Sequence, residues 1–138
     1  MLIDTNVLID YMIERQPFYN EAKEIIGLCA DSVIDGCIAA HSVTDSFYIM
    51  RKFPKAEARE LLTQMCEIMT VVGIDGKKLI AAINSPKFDD LEDCLQSVCA
   101  EDCKAEYIIT RNTKDFSGSN ILPITPAEFL GKITQMIL

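Results

Sequence analysis

The chain opens with residues 2–9, LIDTNVLI, in which two apolar runs flank a short polar segment. The first run predicts a buried strand that ends at Asp4, and the second predicts a helix over about Val7 to Glu14. In a parallel α/β sheet, ligands bind beyond the carboxyl ends of the strands. Asp4 is therefore expected at the edge where such a fold carries out its chemistry.

The rest of the chain alternates in the same way. Short apolar segments predict further strands near residues 37–40, 70–74, 107–110 and 121–124, and apolar residues at helical spacing occupy the segments between them. About five strands alternating with six or seven helices predict a parallel sheet covered by helices on both faces. Because neither a linker nor a repeat interrupts the pattern, we expect a single domain over residues 1–138.

Composition excludes several classes of protein. The net charge of −8 argues against a protein that coats nucleic acid, but it allows a nuclease whose acids gather around a metal ion. No apolar run reaches the roughly eighteen residues of a membrane span, and no signal-peptide pattern occurs, so we expect a cytoplasmic protein without membrane contact. Six cysteines without a CxxC pair predict reduced thiols that pack as small hydrophobic side chains.

Acidic residues recur where the predicted strands end. Asp4 ends the first strand, Asp45 falls in the first turn of the helix after the second strand, and Asp115 follows the fourth strand. Asp93 belongs to a cluster at residues 89–93, four carboxylates that open the helix leading into the fourth strand. All four segments should meet at the carboxyl edge of one parallel sheet.

Each acid also has a structural explanation. Ser42 and Asp45 resemble a capping box, the cluster at 89–93 suits a helix N-terminus, and Asp115 could be a turn residue. Capping needs only one or two acids, however, and like charges one turn apart repel. A carboxylate such as Asp4, at the end of an apolar strand, needs a partner. The convergence of these acids therefore predicts a site for a hard divalent cation, Mg²⁺ or Mn²⁺.

Such an ion can activate water and neutralise the charge that develops on a phosphodiester. The sequence lacks the residues for two other chemistries. His41 is the single histidine and gives no base for a catalytic triad, and no glycine-rich phosphate loop or Walker motif supports the use of nucleoside triphosphates.

Three motifs resemble a known family. LIDTNVL at 2–8, DLEDCLQ at 90–96 and ITRNTKDF at 109–116 are similar to the PIN domain, in particular to the small, stand-alone bacterial ribonuclease toxins of VapC type. The resemblance covers the whole chain. It implies a three-layer α/β/α sandwich with a central parallel sheet, and a metal-dependent endoribonuclease. It also implies a cognate antitoxin partner, and it leaves a homodimer open.

The resemblance assigns the catalytic and metal-binding roles to four acids. They are Asp4, Asp93, Asp45, which stands where the family most often has Glu, and Asp115. The fourth place is ambiguous, because many members read Thr-x-Asp where this chain has Asn112, three residues before Asp115.

Further candidates surround these acids. The secondary site candidates are Asn6, Asp90, Thr110 and Asn112. Arg111 and Lys114, cations beside an anionic pocket, are expected to contact RNA phosphates. A second basic strip, Arg51, Lys52, Lys55 and Arg59, could follow the RNA backbone, although ordinary surface solvation also explains it.

Two alternatives come from other classes. A phosphotransfer receiver domain is also doubly wound, but it should carry a Lys after the fifth strand, and none follows residues 123–125. A catalytically weak or inactive PIN-fold binding module stays open, because Asp45 and Asn112 depart from the family pattern.

Overall fold

The structure, a computed structural model, describes residues 1–137 and contains one parallel sheet. Its strands are β1 Leu2–Ile3, β2 Cys37–Ala39, β3 Thr70–Val72, β4 Tyr107–Ile109 and β5 Leu122–Ile124. They lie in the order β3-β2-β1-β4-β5, with every neighbouring pair parallel. The strand that carries the opening motif is therefore central, and Leu2 pairs with both Cys37 and Ile108.

Six α helices lie in the connections between the strands, and a seventh follows β5. They are α1 Thr5–Met12, α2 Tyr19–Ala30, α3 Ala40–Ile49, α4 Lys55–Ile68, α5 Gly76–Ile83, α6 Leu91–Asp102 and α7 Pro126–Ile137. Two 3-10 helices, Met50–Lys52 and Thr113–Phe116, lie within the connections. None of the helices described is long and apolar enough to cross a membrane.

The sheet buries both faces, because successive strand residues point to opposite sides. On one face, Ile3, Ile38 and Ile109 pack in a core cluster with residues of α1, α2, α4 and α7. On the other face, Leu2 and Ile108 pack with Cys99 and Ala100 of α6 and with Phe116. The predicted three-layer α/β/α sandwich is confirmed.

In the sequence, Asp75 before an apolar helical segment and the pattern Thr125-Pro126-Ala127-Glu128 predict the starts of two helices, and both are confirmed. Asp75 accepts a hydrogen bond from the Lys78 backbone N–H at 2.9 Å and caps α5. At α7, Thr125 Oγ1 accepts from the Glu128 backbone N–H at 3.2 Å and donates to Glu128 Oε1 at 2.8 Å. This reciprocal pair is a capping box, as the sequence predicts.

Two predicted helix starts were wrong. Helix α1 begins at Thr5 rather than Val7, because Asp4 itself caps it by accepting from the Thr5 backbone N–H at 2.8 Å. Helix α3 begins at Ala40, so Asp45 lies in its second turn. Ser42 is fully buried inside α3 and caps nothing, because its hydroxyl binds side chains of other helices instead.

Two of the six cysteines lie close together in the fold. The sulfur atoms of Cys37, at the start of β2, and Cys103, just after α6, are in contact, with the Cα atoms 7.2 Å apart. Because this Cα separation is longer than a disulfide normally spans, the six reduced thiols stay a prediction. The two residues are 66 positions apart, so no local spacing pattern could reveal their proximity.

Candidate active site

Asp4 occupies the junction of β1 and α1, and only 7% of its surface is exposed. Its Oδ1 accepts from the Thr5 backbone N–H at 2.8 Å, and its Oδ2 accepts from Thr110 Oγ1 at 2.7 Å. Burial raises the pKa of Asp4, and the negative charge of Asp115 raises it further. The two hydrogen bonds and Arg111 oppose this rise without cancelling it. This carboxyl group therefore lacks a sufficient positive counterpart.

Thr110 links the loop after β4 to the start of α1. It is fully buried, and besides donating to Asp4 its Oγ1 accepts from the Asn112 backbone N–H at 3.0 Å. Asn6 approaches the same oxygen, with Nδ2 at 3.5 Å, and its Oδ1 accepts from the Arg111 backbone N–H at 3.4 Å. The structure thus brings Asn6, Thr110 and Asn112 together beside Asp4.

The N-terminus of α6 supplies two more acids. Asp90 Oδ1 accepts from the Asp93 backbone N–H at 3.0 Å, so Asp90 is the N-cap. The pKa of Asp93 rises to about 7, first because of partial burial and then because of the negative charges of Asp90, Asp115, Asp4 and Glu92. Acids from three distant segments therefore influence one another at the carboxyl edge of the sheet.

Asp45 interacts with this group of acids through Glu92, which was not among the predicted site residues. Burial raises the pKa of Glu92, and the nearby negative charge of Asp45 raises that pKa further. Glu92 directly precedes Asp93 in the acidic cluster, and this adjacency was the available sequence signal. Asp115 is exposed and lies in the 3-10 helix Thr113–Phe116.

A cleft of about 290 Å³ opens beside Asp4 and Asp93, and neither Asp45 nor Asp115 lines it. Its lining includes Asp4, Asn6, Glu92, Asp93, Gln96 and Asn112. A larger cavity, of about 670 Å³, lies at the opposite edge of the sheet, where Met1, Cys37 and Tyr107 mark the starts of strands. None of the predicted site residues lines that cavity, so the smaller cleft is the candidate active site.

Gln96 ends the motif DLEDCLQ at 90–96 but was not among the predicted site residues. It is 2% exposed, and its Nε2 donates to both Thr5 Oγ1 and Ser42 Oγ at 2.8 Å. Those two hydroxyl oxygens are 2.7 Å apart. These two hydrogen bonds connect α6 to the first turns of α1 and α3, next to Asp4. The Gln96 Oε1 has no hydrogen-bond partner within residues 1–137. The available signal was its position three residues after Asp93, on the same helix face.

Arg111 is held by an acid that no motif indicated. Its Nε donates to Asp10 Oδ2 at 2.7 Å and its Nη2 donates to Oδ1 at 3.3 Å, while its Cζ lies 3.9 Å from the ring centroid of Phe18. Asp10 is 1% exposed. The predicted contact of Arg111 with RNA phosphate stays a prediction, and it would have to share the guanidinium with Asp10. Lys114 is exposed and forms no ion pair in the described chain.

The donor atoms of the cleft fit a hard divalent cation only in part. Carboxylate oxygens with raised pKa values are suitable ligands for Mg²⁺ or Mn²⁺. Within residues 1–137, however, no three side chains of His, Cys, Asp or Glu are placed to bind one ion together. Mg²⁺ commonly keeps several waters and takes one or two carboxylates. The residues present therefore fit a partly hydrated ion rather than a closed protein cage.

Residues 1–114 match the sequence pattern of the PIN domain family. The chain belongs to the PIN domain family. PIN domain proteins are generally nucleases, and the family generally uses divalent metals. No curated protein matches the sequence. The family predicted from the three motifs is confirmed.

Two solved structures show the same PIN fold. A chain of a toxin–antitoxin complex from Klebsiella pneumoniae is 25% identical, with a TM-score of 0.65 over 91% of this chain and 96% of that one. A chain of FitAB bound to an IR36 DNA fragment is 16% identical, with a TM-score of 0.63 over 91% and 94% of the two chains. At that lower identity the similarity shows the fold alone.

Proposed function

We propose that this PIN domain protein is a divalent-metal-dependent endoribonuclease and the toxin of a toxin–antitoxin pair of VapC type. One observation carries the proposal. Asp4, Asp93 and Asp115 come from three separate segments, yet the charge of Asp115 raises the pKa of Asp4, and the charges of Asp4 and Asp115 raise the pKa of Asp93, at the carboxyl edge of β1 and β4. In a family of nucleases, such a cluster is suited to hold the cation that phosphodiester hydrolysis requires.

The roles follow from the contacts. Asp4 and Asp93 would hold Mg²⁺ or Mn²⁺, with water as the remaining ligands, and the bound ion would supply an activated water and a positive charge facing the phosphate. Asp115 would orient the attacking water, because its charge acts on both Asp4 and Asp93. Asp45 would act through Glu92, whose pKa its negative charge raises.

Two further groups would support this chemistry. Thr110 fixes one oxygen of Asp4 and so sets the direction of the other. Lys114 would contact a phosphate next to the scissile bond, because it is exposed and follows the loop that ends at Asn112.

The proposed partners are RNA as substrate and a cognate antitoxin protein as inhibitor, in the cytoplasm. The similarity to a chain of a toxin–antitoxin complex supports the antitoxin. A homodimer stays a prediction.

The test compares the parent chain with Asp4→Asn and Asp93→Asn on structured RNA, unstructured RNA and total cellular RNA, with Mg²⁺ or Mn²⁺. Each change keeps the side-chain shape and removes one charge, so we expect a loss of at least about a hundredfold in cleavage rate. Asp89→Asn is the matched control, since Asp89 is an exposed acid of the same cluster that does not contribute to the raised pKa of Asp93.

Asp115→Asn distinguishes the two candidates for the fourth acidic place. A loss as severe as that of Asp4→Asn assigns the place to Asp115, and a mild loss assigns it to Asn112. A parent chain that cleaves none of the RNAs with either metal, and does not arrest bacterial growth, contradicts the proposal. The absence of three jointly ligating side chains favours the binding-module alternative in that case.

A further inference from the structure

A basic and aromatic surface lies beside the active-site cleft. It comprises the end of α3, the 3-10 helix Met50–Lys52 and the start of α4. Its members are Phe47, Tyr48, Arg51, Lys52, Phe53, Lys55 and Arg59. We propose that this basic–aromatic surface binds single-stranded RNA and leads it to the cleft. The inference rests on the proposed function and adds the form of the RNA and the route by which it is held.

The charge of this surface is opposite to that of the whole protein. Residues 47–60 contain four bases and only two acids, Glu57 and Glu60, in a chain whose net charge is −8. The ion pairs formed within residues 1–137 engage Arg15, Lys78 and Arg111, and none engages a base of this surface. These four cations are therefore available to a polyanion, and neutralising phosphates releases counterions and favours binding.

The aromatic side chains of this surface are unusually exposed. Tyr48 is 65% exposed, Phe47 41% and Phe53 38%. The Arg51 Cζ lies 4.3 Å from the centroid of the Tyr48 ring, and its Nη1 donates to the Tyr48 carbonyl at 3.1 Å. One face of that ring is thus covered by a cation, while the side chain stays largely open to solvent. Exposed aromatic rings beside cations are the elements on which unpaired bases stack.

A small hollow lies within the surface. It has a volume of about 70 Å³, and Phe47, Phe53, Arg51 and Lys55 line it together with buried apolar atoms. The hollow is too small to enclose a nucleotide, but its apolar walls and cationic rim can contact the edge of a base and a neighbouring phosphate.

Helix α3 contributes to both the surface and the active-site cleft. Ile49, which follows Tyr48 in α3, lines the same cleft as Asp4 and Asp93. A strand stacked on Tyr48 would therefore pass near the cleft. RNA fits better than the other occupants, because a second copy of this chain would place the same cations against themselves. Duplex RNA would offer phosphates, but its bases have no free faces.

The experiment measures binding of a fluorescent, unstructured 12-nucleotide RNA to the full-length Asp4→Asn chain by anisotropy across a salt series. Tyr48→Ala should weaken binding about tenfold through the loss of one stacked base. Ile80→Ala is its control, because Ile80 is 64% exposed on the distant α5. The control should bind RNA as tightly as the starting chain.

Charge is tested with Lys52→Gln/Lys55→Gln against the control Lys77→Gln/Lys132→Gln. The first pair should reduce the slope of log K against log salt by about 1.4, because each phosphate contact contributes about 0.7 for single strands. The control pair should leave the slope unchanged. The same RNA annealed to its complement should bind more weakly than the single strand.

Equal binding by Tyr48→Ala and Ile80→Ala, or equal slopes for the two lysine pairs, overturns the proposal. So does a change in oligomeric state with Tyr48→Ala at unchanged RNA affinity, since the surface would then join two copies of the chain. Cleavage plays no part in this assay. A parent chain that binds RNA through these residues but cleaves none would contradict the proposed function alone.

Discussion

Replacing Asp93 by Asn should stabilise the metal-free protein at neutral and alkaline pH. Asp93 lies among four other carboxylates that raise its pKa, together with burial, from the ordinary 3.8 to about 7. Between these values the folded state holds a proton that the unfolded state has released. Stability therefore falls as the pH rises through this window, and the ionised group opposes folding above it.

The size of the effect follows from the shift. A pKa change from 3.8 to about 7 corresponds to roughly 4 kcal/mol if the whole shift acts on stability. Asp93 is only partly buried, so screening by solvent reduces this to about 1–2 kcal/mol. The substitution also removes a negative charge that favours the first turn of α6, which lowers the free energy of unfolding by about 0.5 kcal/mol. A net gain of about 1 kcal/mol remains.

Urea unfolding in EDTA at about pH 8 and about pH 5 measures this gain. Asp93→Asn should be more stable than the parent at pH 8, and the advantage should be much smaller at pH 5, because stability falls progressively between pH 3.8 and about pH 7. Asp89→Asn, an exposed acid of the same cluster, should change little at either pH. An equal gain from Asp89→Asn, or a loss of stability in Asp93→Asn at pH 8, would refute the electrostatic reasoning.

Three further outcomes are expected. Mn²⁺ should raise the Tm of the parent but not that of Asp4→Asn, because an ion that binds only the folded state stabilises it by mass action. Thr110→Val keeps the side-chain shape but removes the donor to Asp4, and it should cost about 1–3 kcal/mol in urea unfolding and slow RNA cleavage. Arg111→Met leaves buried Asp10 without its closest cation and should cost about 3–5 kcal/mol in the same unfolding assay.

Matched variants separate these effects from general damage. Thr63→Val alters an exposed hydroxyl on α4 and should cost less than Thr110→Val. Arg15 is the other cation near Asp10; its side chain is 40% exposed, and its Nη1 lies 3.6 Å from Asp10 Oδ1. Arg15→Met should therefore lower the free energy of unfolding by less than about 1 kcal/mol. Equal losses within either pair, or an equal Tm rise in Asp4→Asn, would count against the assigned contacts.

The fold was predictable because its signals are local. Alternating apolar segments predicted the five strands and the helical layers, and the caps at Asp75 and Thr125 fixed two helix starts correctly. The placement of Asp4 and Asp93 at one edge followed from the rule that parallel strands end together. The position of a residue at a strand end or a helix start can therefore be predicted from sequence alone.

The supporting contacts were not predictable, because their partners are distant in sequence. Gln96 binds Ser42 across 54 positions, and Arg111 binds Asp10 across 101. Ser42 illustrates the difficulty. Its spacing to Asp45 matches a local capping pattern, but the tertiary bond to Gln96 determines its position instead. A sequence pattern shows only the neighbours of such a residue along the chain, whereas its hydrogen bonds are made with residues that are neighbours in space.

The sequence suggested that capping and chemistry were competing explanations for the acids, and the structure shows that one carboxylate can do both. Asp4 uses Oδ1 to cap α1 and Oδ2 to bind Thr110, so capping fixes the orientation of the group that faces the cleft. Asp90 caps α6 and thereby orders the turn that carries Asp93. Helix N-termini attract negative charge, which partly offsets the repulsion among the acids in the absence of a cation. Anchoring the carboxylates at helix ends therefore lets the fold form first and leaves a concentrated negative charge for the ligand.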